Sequence, residues 1–517
     1  MKIVLVSINE GIISFGLRCI SAVLKVAGFH SQTIFLPRES EGLDRSGFQY
    51  AYSESMLKQL VELTRDCDLI GISVMSNSFD NAVQITDYLH EHTKALIVWG
   101  GIHPTIRPEE CLQHSDLVCI GEGEEAIIEL VKNIECNKGY KDIANIGYLS
   151  EGNFICTSLR ALEKDLDKYP YPDYDPKNEL IFHKGTIRPM NDQLMLYYLR
   201  WPYHSDAVPT YTTMMSRGCT WSCAYCTNSA FKKIFGDQWK VRRHSVSYFI
   251  GELKQIITRY PGIMSIRIED DVFLDNVQIL KEFAEAYKRE VNVPLYITGF
   301  QPSMVSDEKI KILIDAGMKQ MRMGIQTCSI STLHNVYRRP GSLEQIQRAV
   351  DILHNYSDQI GPPAFDLLID NPWESEEEQL KTLNFLLKTP KPFQVMLYSL
   401  TLYPGTDLYE RGKAEGILHD EHDQVYIKDF NSGESTYINW LFRLFQSRQA
   451  PNWLMSILLS KTMRERNWKW LPQSLAWIFR GENFIISGWR ALLEGNWNAF
   501  RHAFISRARW LTRGVKN

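Results

Sequence analysis

Cys219-Thr-Trp-Ser-Cys223-Ala-Tyr-Cys226 is the stretch that decides how this 517-residue chain is read. Three thiolates spaced this closely can ligate three irons of a 4Fe–4S cube and leave the fourth iron without a protein ligand. An open iron is a place for chemistry, whereas a cube held by four cysteines mainly passes electrons. The run follows a strand-like stretch, Tyr211-Thr-Thr-Met-Met-Ser216, and the turn Arg217-Gly218. The thiols therefore belong to a loop at the carboxyl end of a strand, where α/β proteins place reactive groups. A structural zinc site completed by His244 is the alternative. Such sites usually use two separated pairs of ligands, and the chain has no second Cys-x2-Cys.

The length predicts two to four domains. The hydrophobic and charged fractions, 44% and 23%, are those of a soluble globular protein. Met1-Lys-Ile-Val-Leu-Val-Ser runs straight into a strand, with no apolar run and small-residue cleavage site, so no secretory signal is expected. The other seven cysteines are scattered and read as small buried apolar residues. Together these features predict a reducing, cytoplasmic setting. The net charge of −4 conceals an asymmetry: from Trp440 onward the chain carries +10, and the remainder −14. Eight of the thirteen tryptophans lie in that same tail, which puts a boundary near residue 435.

Upstream of the cysteines, residues 1–135 alternate between short apolar runs suited to parallel strands (Lys2–Ser7, Gln32–Leu36, Asp68–Met75, Leu96–Trp99, Leu117–Ile120) and helical patterns. This predicts a doubly wound, flavodoxin-like sheet with ligands at the carboxyl ends of its strands. The unusual residues lie at those ends: Ser73 to Asn77, with Ser73 and Ser76; Gly100-Gly101-Ile-His103-Pro104-Thr105; and Gly121-Glu122-Gly123-Glu124. Glycines there let the backbone approach a flat ligand. Alternatively, they only make turns, and the acids favour the first turn of the next helix.

Downstream, after a Pro-, Asp- and Tyr-rich linker, six strand–helix units follow, with strands near 211–216, 265–269, 295–298, 320–323, 364–369 and 393–399. They predict a partial (β/α)6 TIM-like barrel with its site at the carboxyl-end face. Glu269-Asp270-Asp271 ends the second strand, Gln301 follows the third, Arg322-Met-Gly-Ile-Gln326 ends the fourth, and Asp366 to Glu374 spans the fifth. Past Trp440, segments such as Trp468–Phe479 and Phe484–Leu493 suit amphipathic helices that either lie on a lipid surface or cap the barrel. No run reaches the ~20 apolar residues of a membrane span, and no nucleic-acid-reading motif is visible, so no nucleic acid partner is expected.

Taken together, the C-x3-C-x2-C run with Tyr225 before its last cysteine, the Gly-Gly-x-His-Pro-Thr and Gly-Glu-Gly-Glu motifs, and the Glu-Asp-Asp and Met-Gly-Ile-Gln stretches resemble the cobalamin-binding-domain-containing radical S-adenosylmethionine (SAM) enzyme family. The resemblance covers roughly residues 1–430. It implies a cobalamin-binding domain over 1–140, a linker over 141–205, a radical SAM core over 206–434 and a basic, Trp-rich helical tail over 435–517. It implies a 4Fe–4S cluster on Cys219, Cys223 and Cys226. Tyr225, Glu269, Asp270, Asp271, Gln301, Arg322 and Gln326 would face SAM. Cobalamin would lie against Ser73, Ser76, Gly100, Gly101, His103, Gly121, Glu122 and Gly123. The Asp-x-His-x-x-Gly motif is absent, so cobalamin is expected with no histidine below its cobalt. No catalytic acid or base is assigned. The reaction implied is attack of a 5′-deoxyadenosyl radical on an unactivated carbon, with C-methylation of a hydrophobic small molecule. Cyclisation or oxidation without methyl transfer, of a tetrapyrrole or lipid, is the alternative; a non-enzymatic metal- or cobalamin-binding sensor docked on membranes is another. A flavodoxin or other electron donor, and peripheral contact of the tail with the inner face of the membrane, complete the expectation.

Overall fold

The computed structural model describes residues 1–9, 11–37, 51–200, 208–273, 276–431, 433–447 and 450–479. Its first layer is built on β1 (Ile3–Ser7), β2 (Ser31–Phe35), β3 (Leu69–Ser73), β4 (Leu96–Gly100) and β5 (Leu117–Cys119), parallel in the order β5-β4-β3-β1-β2. Alternate residues of each strand are apolar on both faces. Ile3, Leu5, Leu69 and Val98 pack with the helices Phe15–Val26 and Glu124–Glu135, while Val4, Val6, Ile70 and Ile97 pack with Glu54–Thr64 and Phe79–His92. A sheet apolar on both sides must be covered on both sides, and this is the doubly wound arrangement.

The stretch read as a linker extends this sheet at both edges. β6 (Ile146–Ser150) and β7 (Asn153–Cys156) form a hairpin antiparallel to β5; β8 (Glu179–His183) pairs parallel with β2 and turns back as β9 (Thr186–Pro189). Both hairpins turn on two residues of positive φ, Glu151-Gly152 (51° and 79°) and Lys184-Gly185 (53° and 80°). That is the type I′ geometry whose twist matches the strands. The buried Arg18 guanidinium anchors the β8 edge through Glu179 at 2.8 Å and the Tyr174 ring at 3.6 Å.

The second layer is a six-stranded parallel sheet: β10 (Thr210–Thr213), then, beyond the two-residue ladder of β11 (Ser216–Arg217) and β12 (Arg242–Arg243), β13 (Ser265–Ile268), β14 (Leu295–Phe300), β15 (Met318–Gln326), β16 (Ala364–Ile369) and β17 (Gln394–Ser399). β10 and β17 stay unpaired with each other, so the barrel is open. Met321, Met323 and Ile325 of β15 pack outward into the helical layer, which leaves Gln320, Arg322, Gly324 and Gln326 on the lumen side. Asp366 on β16 and Tyr398 on β17 follow the same alternation.

The helix Tyr437–Gln446 is buried along eight of its ten residues and packs on β17 and on the helix Glu376–Lys388. The short helices Asn452–Leu458 and Lys461–Arg466 and a helix over 470–479 continue along the barrel wall, leaving Trp453, Trp468 and Trp470 exposed. Phe484–Leu493 lies outside the described residues. Among the described residues no helix is long and apolar enough to cross a membrane.

One buried carboxyl makes stability pH-dependent. Glu252, on the helix Val246–Arg259, accepts at Oε1 from the Tyr211 hydroxyl (2.8 Å) and Thr213 Oγ1 (2.6 Å), and burial pushes it up to about 7. Unfolded, it loses its proton near pH 4.3. Between there and pH 7 the folded protein holds a proton that the unfolded chain has released, so stability falls as pH rises across that window. Glu252→Gln is expected to flatten this slope by a few kcal/mol, raising the melting temperature at pH 8 relative to wild type and not at pH 4. An unchanged difference between the two pH values would refute the assignment.

Candidate active site

The cysteine loop is fixed before it begins. Asp270, at the end of β13, is buried and accepts from the Met215 N–H (2.7 Å), the Ser216 N–H (3.2 Å) and the Ser216 hydroxyl (2.8 Å), tying down the chain that leaves β10. Burial pushes its carboxyl up to about 7 against those donors. Gly218 then turns at φ +89°, and a Cβ there would lie 2.5 Å from the Lys240 carbonyl oxygen, so only glycine fits. Within the loop the Ala224 N–H donates to the Tyr337 carbonyl at 2.8 Å, and the Ala224 carbonyl accepts from the Leu408 N–H at 2.9 Å. Two distant parts of the barrel thus hold the loop's middle.

Cys219 and Cys223 are buried and Cys226, which precedes the helix Thr227–Phe235, is half-buried. Burial, with Asp271 and the neighbouring thiols adding to it, pushes Cys219 up to about 12 and Cys226 up to about 11. Buried thiols such as these lose their protons when a metal ion binds them, and iron held here would supply that charge. Two donors already point at the sulfurs. Arg339 Nη1 lies 3.6 Å from Cys223 Sγ, and Asn228 Nδ2 lies 3.6 Å from Cys226 Sγ, itself oriented by the Trp239 indole N–H at 3.0 Å. Among the described residues no three His, Cys, Asp or Glu converge as ligands of one ion. His244 is turned away to Asp167 Oδ1 at 3.2 Å and stacks on Tyr248. His244 is therefore not placed as the fourth ligand of a zinc site, and three thiols match the three protein-held corners of a cube.

Arg339 was invisible to sequence reasoning. It is 7% exposed and spans Cys223, the Tyr225 hydroxyl (3.3 Å) and the Gly324 carbonyl (2.9 Å), joining the cysteine loop to β15. The only local signal was the pair Arg338-Arg339 followed by Pro340. Of the residues expected to face SAM, Asp271 is at the open rim yet ringed by protein, its carboxyl raised by that desolvation and drawn back by Asn228. Glu269 pairs with Arg267; Gln301 is buried below the rim; Gln326 ends β15 at φ +69° beside Gly324. Arg322 donates from Nε to Asp366 Oδ1 at 2.6 Å and lies 5.2 Å above the Tyr398 ring, inside the lumen. Asp270, by contrast, has its oxygens engaged by the protein backbone and Ser216.

The glycine loops of the first layer meet this site. Ser73 and Gly100 are register partners at the ends of β3 and β4, beside the crevice where strand order reverses. Gly101 turns at φ +110°, and a Cβ would sit 2.9 Å from the Val74 carbonyl oxygen. The rim formed by Ser73, Met75, Gly100 and Gly101 is at least partly open, a cradle that suits a flat ligand. His103 is fully buried, bonded through Nδ1 to Ser76 Oγ at 3.0 Å, with Nε2 3.6 Å from Glu110 Oε2 and its ring between Phe79 and Tyr426. It shapes the loop from beneath, its ring fully buried away from the rim. Thr105 Oγ1 accepts from the Gly121 N–H at 2.9 Å and so ties the two glycine loops together. Gly123 starts the helix Glu124–Glu135, and the carboxylate of Glu122 is taken by arginines of the second layer.

Comparison with known proteins agrees with this arrangement. The B12 binding domain family matches residues 1–131, and the radical SAM superfamily matches residues 213–386. An uncharacterised methyltransferase of Pyrococcus horikoshii is 26% identical over 358 residues, 68% of this chain and 71% of that protein. The bacteriochlorophyllide d C-8(2)-methyltransferase of Chlorobaculum tepidum is 21% identical over 365 residues, 70% and 72% of the two chains. The solved structure of the cobalamin-dependent SAM radical enzyme OxsB, with aqua-cobalamin and SAM bound, superposes with a TM-score of 0.65 at 15% identity, over 97% of this chain and 83% of that one. The chain belongs to the radical SAM enzymes that carry an amino-terminal cobalamin-binding domain.

Proposed function

We propose that the protein is a C-methyltransferase that acts on an unactivated carbon of a small molecule. The observation that carries this reading is the shared wall between the two halves: the Phe235 ring, nine residues past Cys226, lies against Gly121, where an added Cβ would come within 2.7 Å of it. The loop expected to hold a methyl carrier and the loop that holds the cluster are thus built against each other. When bound, the cluster supplies the electron that splits SAM, and cobalamin carries the methyl group.

The chain's own groups do the rest. Cys219, Cys223 and Cys226 hold iron, Arg339 offsets the negative charge gathered there, and Asn228 orients one sulfur. Asp271 is available at the rim to the ammonium or ribose of SAM. In the lumen, Arg322 with Asp366, and Tyr398 beside them, present charge and hydrogen bonds to whatever enters. The substrate that suits this lumen carries a polar or charged group that these side chains can meet. The basic, Trp-bearing wall that follows the barrel is compatible with a peripheral lipid contact, and a flavodoxin or similar donor is the expected source of electrons.

The test is anaerobic turnover of reconstituted protein with methyl-labelled SAM, a low-potential donor and small-molecule extract of the source cells. Label in an extracted product together with deoxyadenosine is expected. Deoxyadenosine without any labelled product would overturn methyl transfer in favour of cyclisation or oxidation.

A further inference from the structure

Glu122 and Glu124 follow β5 in the loop that resembles a cofactor-binding motif, yet their carboxylates are spent on the other layer. Arg242 binds Glu122 through two parallel bonds, Nη2 to Oε1 at 2.7 Å and Nη1 to Oε2 at 3.0 Å. Arg217 reaches Glu122 Oε1 at 3.3 Å and Glu124 Oε1 at 2.6 Å. Arg217 and Arg242 are register partners across β11 and β12, and Arg217 stands two residues before Cys219. The cluster is largely buried: the side-chain exposures are 7% for Arg242, 17% for Arg217, 19% for Glu122 and 5% for Glu124. Arg242 is fixed further by the Glu163 carbonyl at 2.7 Å, and the Glu122 carbonyl accepts from Asn145 Nδ2 at 3.0 Å.

Exposed ion pairs are weak and mobile. A shielded, bidentate Arg–carboxylate pair fixes direction as well as distance. Here the arginine ladder enters the cysteine loop, and the Phe235–Gly121 contact grips the helix that leaves it. Both ends of the cluster loop are therefore clamped to one loop of the cobalamin-binding layer.

We propose that Glu122, gripped by Arg242 and Arg217, is a positioning residue that holds the cobalamin-binding loops at one distance from the cluster loop and thereby couples SAM cleavage to methyl delivery, without touching either cofactor. Its catalytic arm rests on the methyltransferase reading; its structural arm does not. A misplacement of about 1 Å between reacting groups costs up to about 10²-fold, so a loosened clamp uncouples the two steps before it unfolds the protein.

The experiment uses holoenzyme carrying cluster and cobalamin. The cob(II)alamin electron spin relaxes faster near the reduced cluster, with a steep dependence on distance, and this readout needs no turnover. Glu122→Gln is expected to keep wild-type iron and cobalamin contents, to broaden the relaxation, and to lower the ratio of methylated product to deoxyadenosine by about 10-fold. Arg242→Lys, which keeps the charge and loses the second bond, is expected to fall between. Loss of bound cobalamin in Glu122→Gln with iron intact would mean direct contact and overturn the proposal. Unchanged relaxation in both variants would overturn it too. If Glu122→Gln fails to take up iron, Arg242→Lys decides alone, and wild-type relaxation in that variant refutes the clamp. If wild type proves to transfer no methyl group, the methyltransferase reading fails, while the relaxation result still judges the clamp.

Discussion

Replacing Cys223 with alanine is expected to reduce deoxyadenosine formation to background. The loop offers three thiols, and His244, the candidate fourth ligand, is committed to Asp167 and does not stand in. Two thiolates cannot hold a cube in place with one iron left open to SAM. The protein itself should survive the change: the loop's backbone is held by Tyr337 and Leu408 through Ala224, not by the thiol, and Arg339 keeps its bonds to Gly324 and Tyr225. The checks are iron content, the broad visible absorption of the cluster, and deoxyadenosine released under strong reductant, with far-ultraviolet circular dichroism to verify folding. A folded variant that still cleaves SAM would refute the three-thiol assignment.

Replacing Arg339 with methionine, of similar volume, is expected to lower the cluster's reduction potential on the order of 100 mV. A unit charge about 4 Å from its partner is worth about 4 kcal/mol at an effective dielectric of about 20. For a one-electron couple about 1.4 kcal/mol corresponds to about 59 mV, so the full effect would approach about 170 mV. The added electron is shared over irons and sulfurs, which brings the expectation down. Loss of the N–H donor at Cys223 Sγ acts in the same direction, because hydrogen bonds to the sulfurs raise such potentials. An electron paramagnetic resonance titration reads the shift directly, and Arg339→Lys should recover much of it. A potential equal to wild type in the methionine variant would remove Arg339 from the site's electrostatics.

What the sequence made legible was periodic or local. Strands apolar on both faces, the turn at Gly218 and the three-cysteine spacing each depend on residues close in the chain. What escaped was long-range. Arg339 reaches Cys223 across 116 positions and Arg242 reaches Glu122 across 120, and neither pairing leaves a mark on its neighbours. Glu122 and His103 illustrate the point from the other side. Their motif was visible, but whether a carboxylate or imidazole meets a cofactor or the protein depends on who arrives from elsewhere in the fold. The two edge hairpins were overlooked for a different reason: their strands are short and lie among Pro, Asp and Tyr residues. The signal that could have found them was the Glu151-Gly152 and Lys184-Gly185 pairs, each a residue poised before glycine at a tight reversal.

The helix Tyr437–Gln446 bears on how the catalytic half could ever be isolated. Its composition places it with the Trp-rich tail, yet Tyr437, Ile438, Trp440, Leu441, Phe442, Leu444 and Phe445 are buried against the sixth strand and its helix, and Asn439 donates to Asp370 Oδ1 at 2.5 Å. A fragment trimmed at the apparent change of composition would lose that helix, bare the strand and helix beneath it and leave the Asp370 carboxylate short of a donor. Trimming should begin beyond residue 459, since Met455, Leu458 and Leu459 join the same core and the Tyr437 hydroxyl donates to the Leu458 carbonyl at 2.8 Å: the barrel's upholstery is stitched from what looks like its fringe.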